Sequence, residues 1–197
     1  MAMLDPPGNE VLAELEHELR YCEEFLGFTP NDVKTMAHSP QLVRSFCDFT
    51  RAIYAAGKVD PGLLQLVGIL TSSAAGCQYC TAHMANAAPR FGVSEEKLSA
   101  VWEFEHSVLF SEPERAGLRL ALHAGQSPNA VNPDDIKSIL SFYTAGDAVQ
   151  LMAVIILFGF LNRWNDSLAT ELESEPLQFA EQHLADKGWQ VGKHSSS

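Results

Sequence analysis

The stretch Asp60-Pro61-Gly62-Leu63-Leu64-Gln65-Leu66-Val67-Gly68-Ile69-Leu70-Thr71-Ser72-Ser73-Ala74-Ala75-Gly76 decides the fold. Asp60 is a favoured capping residue, and Pro61 suits the first helical position, where its missing N–H is not needed. Leu63, Leu64, Leu66, Val67, Ile69 and Leu70 then point to almost every side, which describes a helix buried all round at the centre of its domain. After Gly76 the chain restarts as a second helix, Cys77 to Ala88, ended by Pro89 and Gly92, so that Cys77-Gln78-Tyr79-Cys80 lies at a helix N-terminus.

Helical punctuation continues on both sides of this pair. Upstream, Val11, Leu12, Leu15, Leu19, Cys22 and Leu26 recur at three- and four-residue steps and predict one helix from Glu10 to Leu26, with Gly27 as its C-terminal cap. A short helix is expected after Thr29-Pro30, and another from Pro40 to Ala56. Downstream, Ser94-Glu95-Glu96 opens a helix, Ser111-Glu112-Pro113-Glu114 is a capping box, and two further helices begin near Asn132-Pro133 and near Asp147. The last is expected to run through the apolar stretch Ala148 to Leu161 and on to Glu173. Beyond Pro176 the pattern weakens, and residues 190–197 read as a mobile tail. Strict strand alternation is absent, as are low-complexity linkers, so residues 1–197 read as one all-α bundle.

Composition narrows the function. Thirteen Lys plus Arg stand against 25 Asp plus Glu, a net charge of −12 that argues against nucleic acid or an anionic membrane surface as partner. The Ala148–Leu161 run contains Gln150 and falls short of the roughly 20 apolar residues of a membrane span, so a buried helix is expected. The start, Met1-Ala2-Met3-Leu4-Asp5-Pro6-Pro7, has neither the basic flank nor the apolar run of a signal peptide, and the protein is expected to begin near Met1. Four cysteines in 197 residues do not make a disulfide scaffold, and a reducing cytoplasm is the expected setting.

One constellation carries chemistry: Cys77, Cys80 and His83. Haem attachment requires His directly after the second Cys, where Thr81 stands. Zinc needs a further ligand, to be brought by Cys22, Cys47, His106 or His123 from another helix. Thiol redox chemistry needs no such help, because two cysteines three apart can form and break a local disulfide. The helix N-terminus is expected to lower a thiol pKa there, and His83, one turn beyond Cys80, can assist proton transfer. Gln65 can orient a sulfur, a water or His83. Glu103, Glu105 and His106 are further proton-carrier candidates on what otherwise reads as a solvated face; His17 and His123 read as surface or packing residues, Tyr79 as a packed aromatic, and Cys22 and Cys47 as inert. From Pro61 to Ser94 there is no Asp or Glu, so the motif segment carries no carboxylate, and a carboxylate base, if one moves the proton, comes from outside it.

With Gly76-Cys77-Gln78-Tyr79-Cys80, His83 and the Pro61 helix in place, the sequence resembles the AhpD-like alkylhydroperoxidases of the carboxymuconolactone decarboxylase superfamily. The likeness extends from about Leu26 to Glu173, through Thr29-Pro30-Asn31, Ser39-Pro40, Phe110 to Ala116, and Asn162-Arg163-Trp164-Asn165-Asp166-Ser167-Leu168. The last of these is similar to the signature of the peroxidase-related branch. The resemblance implies an all-helical homo-oligomer, without a bound cofactor, that reduces a hydroperoxide or disulfide substrate and is recharged by an external dithiol. It further implies that Cys80 attacks and Cys77 resolves. Gln65 occupies the position of the family's glutamate and cannot act as a base, and His83 stands three residues after Cys80 where the family's histidine commonly stands four after. The superfamily's alternative chemistry, decarboxylation of a muconolactone-type acid, calls for a cation on the substrate, and Arg90 is the only one from Pro61 to Ser94.

Overall fold

The computed structural model describes residues 2–195, and every regular element among them is helical. In chain order these are α1 (Asn9–Ala13), α2 (Glu16–Leu26), α3 (Asn31–Met36), α4 (Pro40–Ala55), α5 (Pro61–Ala75), α6 (Gln78–Ala87), α7 (Glu95–Ser99), α8 (Glu112–Gly125), α9 (Pro133–Phe142), α10 (Ala145–Leu168) and α11 (Ser174–His183), with short 3-10 turns between some of them. The all-α expectation therefore holds.

α5 is the central helix. Eleven of its residues, Gly62 through Ser72, are buried, and it packs against α6, α8 and α10. Asp60 caps it by accepting from the Leu63 amide at 3.0 Å. Gly68 lets α10 approach: a Cβ there would lie 2.7 Å from the Phe158 ring. At the other end Gly76 adopts φ 79°, the left-handed conformation that glycine tolerates, and reverses the chain into Cys77.

Three boundaries differ from the sequence reading. The first helix is two, α1 and α2, broken where fully buried Leu15 turns inward. α10 begins at Ala145, capped by Thr144 and Asp147 in a reciprocal pair, and ends at Leu168 rather than Glu173. The stop is at Ala169, which carries a left-handed φ of 48° without being glycine, a backbone state that persists only where the surrounding fold imposes it. That turn sends residues 170–173 back across α6.

The tail is the third difference. Within residues 190–195 His194 is buried, as is Trp189 just before them, while Gln190, Gly192, Lys193 and Ser195 are exposed. The Trp189 indole donates to the Gln78 carbonyl at 3.0 Å, and the Leu172 amide donates to the His194 carbonyl at 2.9 Å. Ser196 and Ser197, the end of the expected mobile tail, lie outside the described residues, as does Met1.

α10, at 24 residues, is apolar and long enough to cross a bilayer by composition alone. Its faces explain that composition differently: Leu151, Val154, Leu157, Phe158 and Leu161 pack into the core. The expected buried helix is thus present, although Val149, Ile156 and Phe160 on its other face are exposed.

Candidate functional site

Cys77 is the N-cap of α6, and Cys80 lies in its first turn. Both are free thiols, 0% and 2% exposed. The Cys80 thiol lies against that of Cys77 and receives the Asn165 side-chain amide at 3.4 Å. The same amide donates to the buried Asp32 carboxylate at 3.0 Å. Asp32, at the start of α3, is thus one side chain removed from the sulfur.

A second chain of hydrogen bonds runs along α6. The His83 Nε2–H donates to Glu173 Oε2 at 2.6 Å, and the Tyr79 hydroxyl donates to Glu173 Oε1 at 2.9 Å. The Asn31 amide also donates to Glu173, and the Asp32 amide donates to the Tyr79 hydroxyl at 3.3 Å. Tyr79 therefore ties the Asp32 backbone to the Glu173 carboxylate. Its ring lies 4.1 Å from the His83 ring in a tilted arrangement, and Phe28 meets the same imidazole in a T-shaped contact at 4.9 Å.

The two carboxylates are driven in opposite directions. Burial pushes Asp32 above its ordinary value, with His83 and Asn165 opposing. Burial also works against ionised Glu173, but there the imidazole of His83 and the Asn31 amide outweigh it, and Glu173 sits below its ordinary value. Cys80 departs from the expectation for a helix N-terminus. Burial, together with the Cys77 thiol and the Asp32 charge, pushes the Cys80 thiol well up despite the Asn165 amide.

Cys80, His83, Asp32 and Tyr79 line one end of a small cavity of about 70 Å³. The rest of the lining is mainly apolar and aromatic, including Phe25, Phe46, Tyr54, Leu157 and Phe158.

Of the sequence candidates, Cys77, Cys80 and His83 share this neighbourhood, although His83 makes no hydrogen bond to either sulfur. Gln65 stands apart: its side chain is fully buried beside the Tyr54 hydroxyl, with no partner of ordinary hydrogen-bond geometry. Tyr54 in turn lines the cavity. Glu105 pairs with Arg119 at 2.6 Å and exposed Glu103 faces Lys187 at 3.4 Å, so these remain a solvated face. His123 pairs with Asp135 at 2.8 Å, and Cys22 packs 3.9 Å from Cys47. Arg90 donates to the Glu24 carbonyl at 3.2 Å and does not line the cavity. Arg163 donates to the Gly159 carbonyl on its own helix, while the buried side chain of Asn162 has no partner.

Three members of the site were not singled out: Asp32, Asn165 and Glu173. Their signals were present as an Asp directly after the Pro30-Asn31 helix start, a polar Asn inside an apolar helix, and an acid-free motif segment that leaves any carboxylate base to come from elsewhere. The zinc grouping of Cys77, Cys80 and His83 does not form among the described residues. A different trio does, Cys77, Asp166 and His194, whose ligand atoms all lie within 4.8 Å of one another.

Residues 40–123 match the Carboxymuconolactone decarboxylase family. The fold and sequence are similar to the debrominase Bmp8, at 31% identity over 91% of this chain and 97% of that one, with a TM-score of 0.86. A variant of Bmp8 in complex with 2,3,4-tribromopyrrole is similar at 30% identity over 92% and 97%, with a TM-score of 0.87. A peroxidase-related protein from Ralstonia eutropha JMP134, with an alkylhydroperoxidase AhpD core, shares the fold at 21% identity over 91% and 95%, with a TM-score of 0.75. No curated protein sequence matches the chain.

Proposed function

This chain belongs to the carboxymuconolactone decarboxylase family, and within it we propose that the protein is a dithiol reductase of small apolar molecules. Cys80 is the nucleophile and Cys77 the resolving thiol. The observation that carries this reading is the place of Cys80, at the polar end of an otherwise apolar cavity with a second thiol beside it.

The chemistry balances without a bound cofactor. With a brominated ring, the Cys80 sulfur takes the bromine as the ring carbon takes a proton; Cys77 then displaces bromide and the disulfide forms. With a hydroperoxide, the sulfur takes an oxygen, releasing an alcohol, and Cys77 displaces water. Both oxidise two thiols to one disulfide and pass two electrons to the substrate, and an external dithiol restores the pair. The aromatic lining and the likeness to a debrominase favour the halogenated ring.

Protons are handled by two carboxylates held in opposite states, a division that assigns acid and base roles. Asp32, biased toward its neutral form and bridged to Cys80 by Asn165, supplies the proton to the departing fragment. Glu173 fixes His83 and Tyr79 at the cavity end by accepting from both. Gln65 is polar support behind Tyr54. The exposed Val149, Ile156 and Phe160 of α10, with Leu140 and Phe142 of α9, suit burial in a homo-oligomer, and the acidic surface suits a cytoplasmic protein without nucleic-acid partners.

The test exposes reduced protein in separate reactions to a brominated pyrrole and an organic hydroperoxide, and reads bromide, alcohol and the Cys77–Cys80 disulfide by mass spectrometry. Bromide release with one disulfide per turnover is expected, abolished in Cys80→Ser. Thiols that stay reduced with both substrates overturn the reading.

A further inference from the structure

Behind the α6 N-terminus, on the side of Cys77 served by the C-terminal segment, His194 is 1% exposed and held by two contacts. Its Nδ1 lies 2.8 Å from the Thr170 carbonyl. A carbonyl has no proton to give, so Nδ1–H must donate, and in the neutral ring Nε2 is left with a bare lone pair. That lone pair faces Asp166 Oδ1 at 3.2 Å. Two acceptors at that distance repel unless a proton or a cation stands between them.

Donation of the distal N–H to a backbone carbonyl is the arrangement that orients a metal-bound histidine. The third group facing this point is the fully buried Cys77 thiol, and the three ligand atoms lie within 4.8 Å of one another. Sulfur, imidazole nitrogen and carboxylate oxygen together form a set that suits zinc, with a fourth position left for water. Asp166 is only partly buried, which gives an ion a way in. One competitor is present: Lys193 Nζ stands 3.4 Å from the same Asp166 oxygen, although its side chain is half exposed and also donates to the Asp166 carbonyl at 2.8 Å.

We propose that the reduced protein binds one zinc ion through Cys77 Sγ, an Asp166 carboxylate oxygen and His194 Nε2. Binding releases the Cys77 thiol proton to solvent and forms a zinc–sulfur bond. A disulfide between Cys77 and Cys80 removes that ligand, so the site exists only in the reduced state. The consequence for turnover rests on the dithiol reading above: zinc holds the resolving sulfur and arrests the cycle after the first step.

Cobalt(II) and zinc titrations of reduced and of disulfide-oxidised full-length protein test this. One equivalent of cobalt is expected to give a thiolate-to-cobalt charge-transfer band in the reduced form alone, bleached by zinc. The band is expected to persist in Cys80→Ser and His83→Ala and to vanish in Cys77→Ser. Zinc affinity should fall more than about tenfold in His194→Ala and in the shape-conserving Asp166→Asn, since even loss of an outer-shell partner costs that much. Asp166→Asn keeps the test valid if His194→Ala fails to fold. No band in reduced protein overturns the proposal. So does a band that depends on Cys80, or zinc affinity unchanged in both Asp166→Asn and a folded His194→Ala. Substrate turnover by metal-free protein, measured alongside, reads the dithiol chemistry separately from the metal site.

Discussion

Asp32 and Glu173 reach α6 from opposite ends of the chain, and the fold treats them differently. The start of α3 brings Asp32 into burial, where Asn165 and the Val33 amide are its hydrogen-bond donors. The segment after α10 brings Glu173 to almost the same depth, but surrounds it with donors from His83, Tyr79 and Asn31. Burial alone raises both carboxyls; the His83 imidazole, with the Asn31 amide, reverses the result for Glu173. Depth therefore does not decide the state of a buried acid, and the count and kind of its donors do.

Removing the donor-rich acid should have the largest effect. Glu173→Gln keeps one acceptor oxygen but puts an NH2 in place of the other, so it strands at least one buried donor and removes the charge beside His83, and a loss of about 2–4 kcal/mol is expected in the urea unfolding free energy at neutral pH. The sign with pH follows from the direction of the shift. A carboxyl lowered in the folded state stabilises fully above its unfolded value of 4.5, and that stability is lost as pH falls through the lower folded value. The parent protein should weaken on acidification over that range, and the variant should show a flatter acid limb. Equal stabilities at neutral pH would mean that Glu173 is not the anchor of the C-terminal segment.

Asp32→Asn inverts the experiment. A carboxyl raised in the folded state costs stability as pH rises above its unfolded value of 3.8 toward the folded one, so the variant is relieved of a cost at neutral pH. A gain of about 1 kcal/mol is expected, because replacing a buried charge by a neutral isostere is often stabilising. The gain should disappear below pH 3.8. Turnover should fall in the same variant, because the proton held by Asp32 is gone. A variant both less stable and fully active would break the contrast between the two acids.

This contrast also marks what the sequence could reveal. The central α5, the α6 N-terminus and the Cys77–Cys80 pair were legible because each is a local pattern: a cap, an apolar run, a three-residue spacing. Asp32 and Glu173 were not, because they lie 133 and 90 residues from the partners Asn165 and His83 that define them. Glu173 in addition sits in an acidic C-terminal stretch, where a carboxylate reads as solvated surface. Its approach depends on Ala169 turning left-handed, and no glycine at that position announces the turn. His194 was hidden by its nearness to the chain end, where polar residues resemble a loose tail although Trp189 and the Leu172 amide pin them. Gln65 shows the converse. Its family position drew attention to it, yet the side chain faces Tyr54 rather than a sulfur.

The smallest effect should come from cutting the link between the two acids. The Tyr79 hydroxyl accepts from the Asp32 amide and donates to Glu173, so Tyr79→Phe removes both bonds while keeping the ring against His83. Glu173 retains His83 and Asn31, and the ring retains its packing, so a cost of only about 1 kcal/mol is expected from urea unfolding. The informative reading is its coupling to Asp32→Asn. If Tyr79 transmits between the acids, the double variant should depart from the sum of the single ones by more than about 0.5 kcal/mol. Additivity within that margin would mean that the two carboxylates act on α6 independently, with Tyr79 as a shared neighbour rather than a conductor.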